Sequence, residues 1–160
     1  MKKMIICILL IFLMAGCSTK KEETAETKET SENEITEKEE VNMKLWINEE
    51  EVSVIWQDNE SVEALKDIVK ENDLQIPMSM YGGFEQVGPL GTSLPRGDSQ
   101  TTTDSGDIVL YSGSQLVVFY GSNSWAYTRL GHITDQSRDD MAALLGQGDV
   151  AITLTVEAAK

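Results

Sequence analysis

Cysteine and histidine are nearly absent from this chain of 160 residues, with two cysteines, Cys7 and Cys17, and a single histidine, His132. Everything after Cys17 is thiol-free, which excludes a disulfide framework and a thiolate metal site there. A lone imidazole excludes any two-histidine metal site, and we read no His-containing triad around it. The chain is read with neither metal nor cofactor. Basic residues are scarce as well: 13 Lys and Arg stand against 27 Asp and Glu, for a net charge of −14. Nucleic-acid binding draws on clustered basic side chains that release phosphate counterions, and no such patch exists here. Polyanionic partners are disfavoured for the same reason, leaving neutral or cationic ones. No Gly-x-Ser-x-Gly elbow and no phosphate loop occurs. Long apolar runs are missing too, since crossing a bilayer takes about 20 apolar residues and Met4 to Leu13 falls well short of that.

What that short run offers is an export signal. Lys2 and Lys3 give a positive start, Met4 to Leu13 an uncharged apolar stretch, and Leu13-Met14-Ala15-Gly16-Cys17 a small-residue cleavage site ending in cysteine. These residues resemble the bacterial lipoprotein signal. The resemblance implies cleavage after residue 16, a lipid on Cys17 and anchoring on the extracytoplasmic face of the cell membrane. Residues 17–42 follow as a Lys, Glu, Thr and Ser-rich segment whose sizeable aliphatics are Ile35 and Val41, too few to order it. It reads as a solvated tether, and residues 43–160 as one domain and a monomer.

Within that domain, period-two alternation dominates. Met43, Leu45 and Ile47 share one face, then Val52, Val54 and Trp56, giving a hairpin signal. Asp58 or Asn59 caps a helix carrying Val62, Leu65, Ile68 and Val69 at helical spacing. Leu74, Ile76, Met78 and Met80 form a further strand face running into the bend Tyr81-Gly82-Gly83-Phe84. The Gly- and Pro-rich stretch from Gly88 to Asp98 reads as a long ordered loop, followed by a short edge strand in the Thr-rich segment from Ser99. Ile108 to Tyr111 and Gln115 to Tyr120 form the strongest β signal, joined by Ser112-Gly113-Ser114. Ser137 with Asp140 marks a capping box for a second short helix, and Val150 to Glu157 a closing strand. Mainly β with two helices fits a closed barrel in which the last strand pairs with the first.

Tyr81-Gly82-Gly83-Phe84-Glu85-Gln86-Val87-Gly88, the Leu94-Pro95-Arg96 turn, Gly106 to Tyr111 and Phe119 to Gly131 resemble the small bacterial cyclophilin-like proteins. That resemblance, running from about Met43 to Glu157, implies a cyclophilin-like closed eight-stranded β-barrel with two capping α-helices. True cyclophilins isomerise Xaa-Pro bonds in an apolar pocket where an arginine reaches the twisting amide. The neighbourhood that should carry that arginine, Gln75 to Phe84, has none. Arg96 or Arg129 could reach a pocket from another direction.

The remaining candidates form a recognition surface. Met80, Tyr81, Phe84 and Glu85 flank the glycine bend, Ser122, Asn123 and Trp125 form a loop, and Tyr127, Arg129 and His132 follow on one strand. Apolar walls with a few polar groups suit a peptide or small molecule. Met78 and Met80 also suit core packing, the Asn123 loop a simple turn, and His132 a buried hydrogen-bonded role. Asp98, Asp104 and Asp107 read as turn formers, since their spacing matches no calcium loop. The expectation is a membrane-anchored binding module for a peptide or small molecule. Its rival is a divergent prolyl isomerase acting on exported proteins, and a third reading is an accessory subunit of a membrane complex.

Overall fold

A computed structural model describes residues 41–157; the signal segment, Cys17 and all of the linker before Val41 lie outside the described residues. In chain order the elements are β1 (Asn42–Ile47), β2 (Glu50–Val52), β3 (Val54–Trp56), α1 (Glu60–Glu71), β4 (Leu74–Tyr81) and β5 (Glu85–Pro89). There follow β6 (Ser99–Thr102), β7 (Asp107–Tyr111), β8 (Gln115–Phe119), β9 (Ser124–Ile133), α2 (Arg138–Leu145) and β10 (Val150–Glu157). All pairings are antiparallel, in the order β2-β1-β10-β4-β5-β8-β7-β9-β3, with β6 added beside β9.

The two ends of that path, β2 and β3, are separated in sequence by Ser53 alone. One bent segment therefore pairs with β1 on one side and with β9 on the other, and it nearly closes the wall into a barrel. Counted as one strand, it gives the eight-stranded wall expected from the sequence. The expected single face of Val52, Val54 and Trp56 carries through the bend: Val52 is buried, Val54 and Trp56 are half-buried against the same core, and Ser53 and Ile55 are exposed. At the bend, the Ser53 amide donates to Asp135 Oδ2 at 2.9 Å and its carbonyl accepts from the Thr134 amide at 2.9 Å. The backbone polar groups freed where the strand changes partners are thereby satisfied.

The barrel interior takes one face of the strands that form the wall. Met43, Leu45 and Ile47 of β1 meet Ile152 and Leu154 of β10, Ile76 and Met78 of β4, and Ile108, Leu110, Leu116 and Val118 of the β7–β8 hairpin. α1 starts at Asn59, whose side chain accepts from the Val62 amide at 3.0 Å and donates to the Arg129 carbonyl at 2.9 Å, fixing the helix start to β9. Its buried face, Val62, Leu65 and Val69, joins the same core. α2 opens with the capping box of Ser137 and Asp140 and buries Met141 and Leu145. Of the loop expected from Gly88 to Asp98, Gly88 and Pro89 belong instead to β5, paired with Leu116 and Gln115, and residues 90–98 form the ordered loop. Leu90 and Leu94 are buried, and their amides donate to the carbonyls of Ser114 and Gly113 in the β7–β8 turn.

Candidate functional site

Alternation along β5 decides what the site contains. Gly82 and Gly83, both in the left-handed region with φ of 62° and 75°, turn the chain tightly from β4 into β5. Gln86 then points toward α2, where its amide nitrogen donates to the carbonyls of Leu145 at 2.6 Å and Gly148 at 2.7 Å. Its neighbours Glu85 and Val87 point the other way, onto the outer face of the wall.

That outer face carries a second apolar cluster, made of Val109 from β7, Val117 and Phe119 from β8 and Tyr127 from β9, with Phe84 and Val87 packed against it. Its rings form a connected series. Phe84 stacks on Phe119 at 6.5 Å between centroids, Phe119 meets Tyr127 edge-on at 5.7 Å, and Tyr127 meets Tyr111 edge-on at 6.1 Å. Such offset and T-shaped contacts hold ring orientation beyond what burial alone does.

Above this cluster lies a pocket of about 360 Å³. Its walls are the aromatic side chains of Tyr81, Tyr111, Trp125 and Tyr127, with Val87 and Val117. Three polar side chains, Glu85, Gln115 and Asn123, complete the lining. Trp125 and Tyr81 are 57% and 66% exposed and form the rim. Asn123 fixes one wall: its amide nitrogen donates to the Tyr127 hydroxyl at 3.0 Å, and its oxygen accepts from the Ser124 amide at 2.8 Å. Asn123 thus braces its own loop and forms a pocket wall.

Glu85 is 6% exposed, and its Oε2 is buried without a hydrogen-bond partner. Burial pushes its carboxyl up to about 7 from an ordinary value of 4.5. The Tyr127 hydroxyl is raised by burial and then by the Glu85 charge, and Tyr120 is raised by the same two causes. No Lys, Arg or His side chain lines the pocket, and no second carboxylate does. The arrangement offers an aromatic box with one carboxyl group in its wall.

The other sequence candidates lie elsewhere, each for a physical reason. Met80 pairs with Gln86 and so shares its face rather than that of Glu85; it is surface-exposed and its amide donates to Asp149 Oδ1 at 3.0 Å. Met80 thus keeps the strand face of Ile76 and Met78 but lies at its open end, where it is exposed instead of packed in the core. Phe84 supports the pocket from beneath without lining it; its carbonyl accepts from the amides of Tyr120 and Gly121. Ser122 donates to the Thr103 carbonyl at 2.6 Å and pins the loop.

Arg96 and Arg129 line a separate cleft of about 320 Å³, together with Asn59, Ser61 and Thr128. Both are engaged. Arg96 pairs with Asp98, and that guanidinium, then the Thr128 hydroxyl, hold the Asp98 carboxyl below its ordinary value. Arg129 donates to Asp107 Oδ2 at 3.1 Å and to the Thr102 carbonyl at 3.3 Å. His132 Nδ1 lies 2.9 Å from Asp107 Oδ1, but its side chain is 46% exposed, so the expected burial is corrected while the hydrogen bond stands. Alternation after a bulge beside Ile108 and Val109 brings Arg129 and His132 together on the outer face. Asp104 and Asp107 act in a turn, the Asp104 amide donating to Asp107 Oδ2 at 2.9 Å. Among the described residues, no group of three or more His, Cys, Asp or Glu side chains is placed to hold a metal ion.

Sequence reasoning missed Tyr111 and Gln115, which face each other across the β7–β8 hairpin, and Val87 and Val117 between them and Glu85. The signal was present in the unbroken apolar character of β7 and β8. A strand that is apolar on both faces is covered on both, here by the barrel core inside and the pocket cluster outside.

No curated protein and no solved structure matches the chain. A model of the cyclophilin-like family matches residues 45–157, which spans the barrel from β1 to β10 and includes the whole pocket. The chain belongs to the cyclophilin-like family.

Proposed function

We propose that this protein is a lipid-anchored, extracytoplasmic binding module that holds a peptide or small molecule in the Glu85 pocket. The observation that carries the reading is the pocket itself: a cavity of about 360 Å³, walled by four aromatic side chains, with one buried and unpartnered carboxyl oxygen. Cavities of that size with apolar walls and few polar groups suit a small ligand or one side chain of a peptide. The ring contacts beneath fix the Tyr111 and Tyr127 walls in advance, so less ordering accompanies binding there.

The anchoring half rests on the Leu13 to Cys17 signal. Replacing the acceptor, Cys17→Ser, is expected to move the protein from the detergent phase to the aqueous phase of a Triton X-114 partition; unchanged partitioning overturns it. The binding half is checked by following Trp125 fluorescence and pocket NMR signals against a panel of short peptides and small amines, alcohols and acids. Saturable shifts lost in Tyr81→Ala support it, and a pocket that no member of the panel perturbs overturns it.

The isomerase reading is weakened by where the guanidiniums lie, since Arg96 and Arg129 are engaged in ion pairs beside a different cleft. A proline-peptide exchange assay decides between the two. Acceleration of cis–trans exchange that disappears in Arg96→Ala or Arg129→Ala would overturn a purely binding role.

A further inference from the structure

We propose that the ligand group seated against Glu85 is an organic ammonium, carried either by a small amine or by a peptide as a lysine side chain or terminal amine. The inference rests on the binding role proposed above and names its ligand class.

Two carboxylates on the same outer face of the wall show the contrast. Asp107, at the start of β7, is buried and fully met: Arg129 and His132 bond its two oxygens, and the Asp104 amide adds a third contact. Glu85, at the start of β5, is as deeply buried but has no ion pair among the described residues, and its Oε2 has no hydrogen bond at all. Burying a carboxyl oxygen unmet is costly, and native structures keep such groups where something else completes them. Around Asp107 the chain supplies the cations itself. Around Glu85 it supplies aromatic faces instead.

Those faces narrow the class of ligand. Tyr81, Tyr111, Trp125 and Tyr127 surround the opening over Glu85, and aromatic faces attract ammonium groups through the ring quadrupole, most strongly when desolvated. An anionic ligand would meet Glu85, the electron-rich faces and the field of a chain with net charge −14. A neutral apolar ligand would fill the box but leave Oε2 unmet. An ammonium satisfies both the rings and the carboxylate.

The titratable groups facing Glu85 are Tyr81 from β4, Tyr111 from β7 and Tyr127 from β9, with Tyr120 after β8 close enough to feel its charge. No basic group lines the pocket to compete with a bound cation. Free Glu85 holds its proton up to about 7. An ammonium binds the ionised form, so binding expels that proton and weakens as the pH falls below that value.

The test uses the full-length chain in detergent micelles, with the Trp125 indole signal as the readout. The probes are n-butylammonium and the peptide acetyl-Gly-Lys-Gly-amide, each against its neutral counterpart, 1-butanol and the norleucine peptide. The expected result is binding of the charged probes at least about tenfold tighter than the neutral ones at pH 8, falling about tenfold by pH 6. Glu85→Gln should abolish both the preference and the pH dependence. Tyr81→Ala, at an exposed rim position outside the core that keeps the Trp125 reporter, should weaken both charged probes. A stronger response to the lysine peptide than to the free amine identifies a peptide ligand, and the reverse a small amine. Neutral probes that bind as well as charged ones, or binding that tightens toward pH 6, would overturn the ammonium assignment while leaving a binding pocket in place. Silence of the Trp125 signal to all four probes at both pH values would overturn the ammonium assignment, and silence to the wider panel of peptides and acids as well would remove the binding role.

Discussion

Glu85 and Asp107 are carboxylates of similar burial in opposite circumstances, and the difference has a consequence for stability as well as for binding. With an ordinary value of 4.5 and a folded value of about 7, Glu85 keeps its proton in the native state across a window where the unfolded chain has lost it. The native state therefore holds more protons between those values, and stability falls as the pH rises through them, reaching its full penalty above about 7. Glu85→Gln carries no such penalty. It is expected to be more stable than the parent at pH 8 by on the order of 2 kcal/mol, a figure discounted because the pocket opens to solvent, and equal to it at pH 4. Thermal unfolding followed at both pH values checks this, and a variant no more stable at pH 8 contradicts it. At this scale the sequence was partly legible. Tyr81, Glu85, Asn123, Trp125 and Tyr127 stood out as candidates, and the structure brings these five together. Arg129 and His132 stood out equally and belong to the Asp107 cluster, because a single bulged residue in β9 decides which way their side chains point. No local pattern reveals such a bulge.

Strands and helices here depend on a few close approaches and caps. Gly88 in β5 lies where any Cβ would fall 2.7 Å from the Pro77 carbonyl oxygen of β4 and against the Met78 sulfur. Backbone oxygen does not yield as a side chain does, so Gly88→Ala is expected to destabilise the fold by about 2 kcal/mol or more, measured by urea unfolding. The α2 capping box is open to a similar check. Ser137→Ala removes the side chain that accepts from the Asp140 amide and should cost about 1 kcal/mol, with amide exchange increasing first in residues 138–141. Both helices were legible at element level because caps and apolar spacing are local signals: Asn59 and Ser137 cap as their sequences indicated. The break at Ser53 was not. Val52 to Trp56 alternates like one strand, and only the presence of two different partners, β1 and β9, forces it to bend.

The molecule as a whole has one principal core shared by all the walls and both helices, so its unfolding should be cooperative. Trp56 packs at the edge of that core while Trp125 sits on the pocket rim, yet both ride on the same sheet through the β3–β9 pairing. Fluorescence from single-tryptophan variants retaining either residue should therefore lose native character at the same urea concentration as the far-ultraviolet circular dichroism. Separate midpoints would mean that the pocket face unfolds as its own unit. Closure was legible in outline, since an alternating first strand and an alternating last strand each need a partner. The pairing of Asn42 with Glu157, and of Met43 with Val156, also sets the two ends of the described domain side by side. In the natural order that seam forms only after more than a hundred intervening residues have been brought round, the costliest loop in the fold. A circular permutant, spliced from 157 to 42 by a few glycines and cut between the exposed Thr92 and Ser93, would turn the seam into a hairpin. It should reach the same barrel and refold faster in stopped-flow mixing.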